Sequence, residues 1–295
     1  MIIPSLQRSM TVLFLFFVSF CSLQGQTTDL FRLEYTVIPE NQFGIRTNRY
    51  RAAVNVPVKL GEERYLVTGM EYNRYEFEFD VALPFEVQTL ERLHIVDLNL
   101  GYICKIHPDW RMVTILTPRL ASNFERGIDN NDFLINGSLL FWKDMASKEK
   151  PERLILGLSF NSATGLPYPL PVINYNKRFH PKWSYTLGIP RMDFKYHLND
   201  THEFQSVLFL DGYFVNIQNE IALPDDIVGA SISLSALVGA VGYQYKFNKM
   251  ISLYALAGYS IIQEGLIRDG NRNRAFTLND EGNFYLRTGF KIAIF

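Results

Sequence analysis

The stretch Tyr102-Ile-Cys-Lys-Ile-His-Pro-Asp-Trp-Arg-Met-Val-Thr-Ile-Leu116 decides how the rest of the chain is read. Apolar and polar residues alternate on both sides of a His107-Pro108-Asp109 corner. Alternation with period two marks a strand with two unlike faces. Proline presets φ and suits a tight corner. The corner returns as Phe179-His180-Pro181-Lys182-Trp183 and, more weakly, as Phe247-Asn248-Lys249-Met250. A corner that recurs between alternating segments points to a meander of antiparallel strands.

The same alternation runs through much of the sequence. Phe31, Leu33, Tyr35 and Val37 are interleaved with Arg32, Glu34 and Thr36. Tyr50, Ala52, Val54, Val56 and Val58 are interleaved with Arg49, Arg51, Asn55 and Lys59. No long stretch carries helical spacing. Short connections at 60–64, 107–109, 180–182, 199–201 and 248–249, with a longer one at 144–152, alternate with mostly long polar ones. The long set is 39–46, 80–92, 123–131, 162–167, 216–229 and 264–279, and the corner at Pro190 is its short exception. The strands between them are 30–38, 47–59, 64–79, 93–106, 110–122, 132–143, 153–161, 168–179, 183–189, 192–198, 202–215, 230–247, 250–263 and 280–295. That makes fourteen; without the short pair flanking Pro190 the number falls to twelve. Short inner turns alternating with longer outer loops match a transmembrane, antiparallel, up-and-down β-barrel, as does an even count with both termini on the short-turn side. A soluble β-sandwich or propeller shares the alternation, but it would have to bury these apolar faces in a second layer.

Composition agrees. With 23 Phe and 16 Tyr the chain is rich in residues that favour strands and girdle barrels. A net charge of −1 provides no basic footprint for nucleic acid. Residues 1–25 read as a signal peptide, with Arg8 before the apolar run 10–21, cleaved before Gln26 despite Leu23 at a position that favours small residues. The alternative, lipidation at Cys21, is opposed by bulky Phe20. Cleavage leaves Cys104 alone, so no internal disulfide forms. Residues 26–295 are then one barrel domain without a separate N-terminal plug.

On these features the chain resembles outer-membrane β-barrel proteins of Gram-negative bacteria over residues 27–295. The final strand, Tyr285-Leu-Arg-Thr-Gly-Phe-Lys-Ile-Ala-Ile-Phe295, ends in the expected aromatic. It departs in register, because the apolar face is Phe290, Ile292 and Ile294 rather than the face of Phe295. More narrowly, Glu71-Tyr-Asn-Arg-Tyr-Glu-Phe77, the His-Pro-x-Trp corners and Gly188-Ile-Pro190 are similar to a Bacteroidetes-type barrel family, a domain of unknown function. The resemblance implies outer-membrane location, with lipid, lipopolysaccharide and the barrel-assembly machinery as partners.

The face opposite the apolar one carries both signs of charge. The expected lumen-lining residues are Arg32, Glu34, Arg49, Arg51, Asp97, Arg111, Arg119, Asp193, Lys195 and Arg287, with Lys105 and Lys291 alongside. Trp110 and Trp183 are expected in an inner aromatic girdle. Trp110 is followed by Pro118-Arg119 and Trp183 by Pro190-Arg191. Either the two arginines narrow the lumen, or, as we expect, each proline ends its membrane strand and the arginine meets headgroups. A lumen of fourteen strands is wider than side chains alone fill, so a solvated or plugged passage is expected. No metal or cofactor site is expected: His107 and His180 lack a third ligand, and Asp129-Asn-Asn-Asp132 reads as a solvated loop. Among five His, the best serine pairing is His202 with Ser206, roughly 13 Å apart along one strand and out of reach. The functional expectation is a channel or transporter for small solutes or hydrophobic compounds, and not an enzyme. The alternatives are an adhesion barrel acting through its outer loops and an outer-membrane lipid hydrolase.

Overall fold

The computed structural model describes residues 29–40, 42–145, 152–162 and 168–293. The signal-peptide reading and the placement of Phe295 fall outside them. In chain order the strands are β1 Asp29–Ile38, β2 Ile45–Gly61, β3 Arg64–Phe79, β4 Arg92–His107, β5 Trp110–Ser122, β6 Phe133–Asp144 and β7 Glu152–Phe160. They continue as β8 Leu170–His180, β9 Trp183–Ile189, β10 Arg191–His197, β11 His202–Ala222, β12 Val228–Lys246, β13 Ile251–Arg268, β14 Arg274–Asn279 and β15 Phe284–Ala293. Each strand from β1 to β13 pairs with the next, β13 pairs with β15, and β15 closes on β1. The ring is therefore a closed, antiparallel barrel of fourteen strands, and β14 is a short addition at the outer end of β13. The short pair flanking Pro190 is present, so the alternative of twelve does not hold.

Side-chain alternation turns the apolar face outward. Leu33, Val54, Met70, Leu98, Leu158 and Leu286 each leave more than two-fifths of their surface exposed. A contiguous apolar belt of this kind is stable against lipid, not water. No helix among the described residues is long and apolar enough to cross a membrane. The His-Pro corners are two-residue turns that pair His107 with Trp110 and His180 with Trp183. Asn248 builds an equivalent turn with its side chain, accepting from Met250 N and Ile251 N, each at 2.8 Å. Trp183 packs outward on Phe194 and Tyr196, with ring centroids 5.0 and 4.5 Å apart, as an inner girdle requires.

Two expected loops are largely strand. β11 runs to Ala222 with a break in register between Asn216 and Ile221, and β13 runs to Arg268 before hairpinning into β14. By contrast, β9 and β10 hold seven residues each. Seven residues span about 23 Å, and a tilt near 45° leaves roughly 16 Å of height against an apolar band of ~25 Å. The strand wall is lowest here. Within β9, two residues before the turn, stands Gly188, whose φ is +146° and whose added Cβ would lie 1.7 Å from the Ile173 carbonyl oxygen. Gly188→Ala is expected to cost on the order of 3 kcal/mol, combining left-handed strain with overpacking. The urea midpoint of the refolded barrel in lipid vesicles checks this.

Candidate functional site

All ten sequence-predicted lumen residues lie on inward-facing positions, but the interior they meet is not one tube. One half is packed shut. Asp211 on β11 receives Arg49 Nη1 from β2 at 3.0 Å and Arg287 Nη2 from β15 at 2.7 Å, and Tyr285 Oη donates to it at 2.7 Å. Arg51 bridges Glu34 at 2.7 Å and Glu71, the latter through two hydrogen bonds of 2.8 and 2.7 Å. Arg32 pairs with Asp29 and Glu34, and Tyr254 Oη also donates to Glu34. Above this network, towards the long loops, Tyr75, Phe77, Leu93, Ile95, Val215 and Ile232 form a core inside the barrel. Tyr75 and Tyr213 meet across it with centroids 4.6 Å apart. Of the expected solvated or plugged passage, this half is filled by side chains of the wall itself: aromatic and arginine side chains are long enough to bridge β1–β4 to β11–β15.

The outer end of that half is latched. Asn216 on β11 forms a parallel bridge with Ser122 on β5, directly across the ring. Gln218 N donates to Asn123 Oδ1 at 3.0 Å. Asp132 is fully buried, accepting from Asn216 Nδ2 at 2.8 Å and Gln218 Nε2 at 2.7 Å. The 129–132 segment is thus not the solvated loop expected: Asp129 caps a single 3₁₀ turn and Asp132 docks it onto β11.

The other half, β6 to β10, mixes buried inward side chains (Asn136, Arg153, Ser184 and Thr186) with partly exposed ones. Ser138, Ser159, Asn174, Asn176, Arg191 and Asp193 belong to this lining. Within the described residues, Asn136 Nδ2, Asn174 Oδ1 and Asp193 Oδ1 have no hydrogen-bond partner. Near the short-turn end, Arg111 and Arg153 converge on Asp144, each at 2.7 Å. On the border between halves, Arg119 makes a two-pronged pair with Asp97, at 2.6 and 2.7 Å, and donates to Ser162 Oγ at 3.1 Å. Pro118 does not end β5, which continues to Ser122, so Arg119 is buried rather than among headgroups. Pro190 is instead the β9–β10 turn itself, and Arg191 points inward beside Asp193 and Gln205, each at 3.3 Å. The two Pro-Arg pairs therefore do different jobs, and the repeat stops at the turn.

Close to the inner mouth, Glu203 on β11 gathers cations. Lys195 Nζ lies 3.0 Å away, Lys246 Nζ 2.9 Å and His197 Nδ1 3.0 Å. His197 Nε2 lies 2.9 Å from Ser184 Oγ.

The family model of a domain of unknown function, DUF6268, matches residues 49–293. The chain belongs to this family. No curated protein matches it. Among solved structures, the DUF6268 chain is similar to the KdgM porin in complex with disordered oligogalacturonate, at 9% identity, covering 90% of this chain and 99% of that chain with a TM-score of 0.38. It is similar to the NanC porin at 11% identity, 89% and 100% coverage and a TM-score of 0.39. It is also similar to LpxR from Salmonella typhimurium at 6% identity, 90% and 99% coverage and a TM-score of 0.40. Likeness at this level speaks to neither activity nor substrate.

Sequence reasoning located the charged inward positions of this DUF6268 barrel but not their partners. Asp211 and Tyr254 sit in strands whose two faces are both fairly apolar, and Tyr285 shares the polar face of an alternating strand with Arg287, so nothing local marks any of the three as an anchor. Ser184, His197 and Glu203 lie on three successive strands, and only the registers Ser184–Lys195 and His197–Glu203 bring them together. The signal that could have found them is the hairpin arithmetic around Pro190 and Asn199.

Proposed function

We propose that this DUF6268 chain is an outer-membrane barrel of a Gram-negative cell, Bacteroidetes-type in source, that passes small hydroxyl-rich solutes through the β6–β10 half of its interior. The observation that carries this is the contrast in what faces inward: interlocked ion pairs and aromatics on one side, and on the other small polar side chains, Ser138, Ser159, Asn174 and Asn176, with Arg191 two-fifths exposed. Asn and Ser side chains offer both donors and acceptors, and Arg191 with Asp193 adds one charge of each sign. Such a lining exchanges hydrogen bonds with a hydrated solute instead of binding it tightly, which passage requires. The export signal at 1–25, the outward apolar belt and the long-loop face support outer-membrane insertion, with lipid, lipopolysaccharide and the assembly machinery as partners.

A passage confined to one half is narrower than a fourteen-strand tube. Purified protein in planar bilayers is expected to give a steady conductance, and liposomes carrying it are expected to swell in a pentose but not in a tetrasaccharide. Arg191→Glu is expected to shift the zero-current potential toward cation preference. A folded barrel giving neither conductance nor swelling would overturn the proposal and favour a closed barrel acting through its loops.

A second observation bears on hydrophobic compounds. An outward groove of about 780 Å³ lies across β9 to β15, with Leu187, Phe194, Leu208, Val241 and Leu286 among its lining. It adjoins the lowest part of the wall, so an amphiphile could keep its polar end in the lined half and its chain in this groove.

A further inference from the structure

We infer that Ser184, His197 and Glu203 form a nucleophilic triad that hydrolyses carboxylic esters at the inner mouth of the barrel. The three side chains make one line of hydrogen bonds: Glu203 Oε2 to His197 Nδ1 at 3.0 Å, and His197 Nε2 to Ser184 Oγ at 2.9 Å. A carboxylate on Nδ1 holds the proton there, leaving the Nε2 lone pair aimed at the serine hydroxyl. Nucleophile, base and orienting carboxylate in that order are what activates a serine. All three positions face inward, and each is fixed by strand pairing rather than by a loop. His197 keeps 17% of its side chain exposed, and Lys195 keeps 28%.

The surroundings suit the chemistry. Glu203 is almost wholly buried and is paired with Lys195 and Lys246. Lys195 is also the direct cross-strand neighbour of Ser184. Its ammonium is held by Glu203, and an oxyanion developing at the carbon that Ser184 attacks would compete for it. The same cations favour an ester bearing a negative group. A purely structural cluster would need Glu203 and its lysines only; the serine on the far nitrogen of the imidazole is the feature it leaves unused.

The reaction balances with water as the only co-reactant. Ser184 Oγ bonds to the ester carbonyl carbon while its proton passes to His197 Nε2. The carbon–alkoxy bond breaks as the imidazolium returns that proton to the leaving alcohol. Water then attacks the acyl-serine, giving its proton to Nε2, and the acid departs as Ser184 recovers its hydrogen. Ser184 is 8% exposed, so a substrate must displace neighbouring side chains to meet it; conductance and labelling of Ser184 are separate readouts, and this inference and the channel proposal fail independently.

The test uses the full chain refolded in detergent micelles, with a fluorophosphonate probe and p-nitrophenyl butyrate. The wild type is expected to be labelled, with the adduct mapping by mass to the peptide holding Ser184, and to release p-nitrophenol. Ser184→Ala and His197→Gln are expected to lose turnover by about 10³-fold or more, and Glu203→Gln by a smaller factor. Heat-shifted gel mobility verifies that each variant is folded. Should a variant not fold, the mass of the wild-type adduct decides alone. A folded wild type that takes up no probe, or an adduct at any residue other than Ser184, overturns the inference.

Discussion

Asp211→Ala is expected to destabilise the barrel by about 3–5 kcal/mol, the scale of removing one partner from a buried ionic cluster. Asp211 is the sole carboxylate that Arg49 and Arg287 share across the packed half among the described residues. Its loss strands both guanidinium groups and the Tyr285 hydroxyl in a region closed by Tyr75 and Tyr213. Replacing one charge thus leaves Arg49 with Asn73 and Arg287 with Thr36, neutral partners both, and no carboxylate in direct contact with either among the described residues. The strands themselves keep their ladder, so the barrel is expected to remain closed at low denaturant while its urea midpoint falls. Intrinsic fluorescence of Trp110, Trp142 and Trp183 reports the transition. A second consequence follows in conductance: with the network broken, the packed half hydrates and single-channel current rises. A midpoint within error of the wild type would show that water already reaches Asp211.

Asp97→Ala is expected to have an effect of similar size, about 3–5 kcal/mol, because Arg119 is then a buried charge with only Ser162 Oγ to receive it. Replacing both residues is expected to be far milder. In Asp97→Leu with Arg119→Leu, two well-packed apolar side chains stand where the pair was, and such exchanges are often neutral or stabilising. The four-way cycle of wild type, two singles and the double measures this directly in urea. Additive costs would mean that the pair is solvated, contradicting its two hydrogen bonds of 2.6 and 2.7 Å.

The architecture was legible in the sequence because period two and the alternation of loop lengths are local properties. The expected strand 64–79 is β3 residue for residue, and the expected strand 183–189 is β9. The failures share a cause. Asn216, Gln218 and Asn219 look like loop residues because amides favour turns. In the fold they extend β11: Asp132 and Asn123, more than eighty residues away, satisfy Asn216 and Gln218, while Asn219 takes a positive φ within the break in register and donates to Glu125. Likewise the inward charges were visible by alternation, but whether they line a tube or lock together depends on how the ring is flattened. That shape is set by contacts such as Arg49 with Asp211, which no window of sequence contains. The triad was missed for the same reason, and the search along a single strand settled on His202 and Ser206, which face outward.

The seven-residue wall has a consequence for the surrounding lipid. A bilayer meeting a strand segment shorter than its hydrocarbon core either thins or exposes acyl chains to water, at a fraction of a kcal/mol for each ångström of mismatch. Around the rest of the circumference the strands hold nine residues or more, so a bilayer around this barrel would be drawn down beside β9 and β10 on the long-loop side. The barrel thus imposes a one-sided dent. It also gives the membrane a spot where an amphiphile sits closer to water than anywhere else along the barrel.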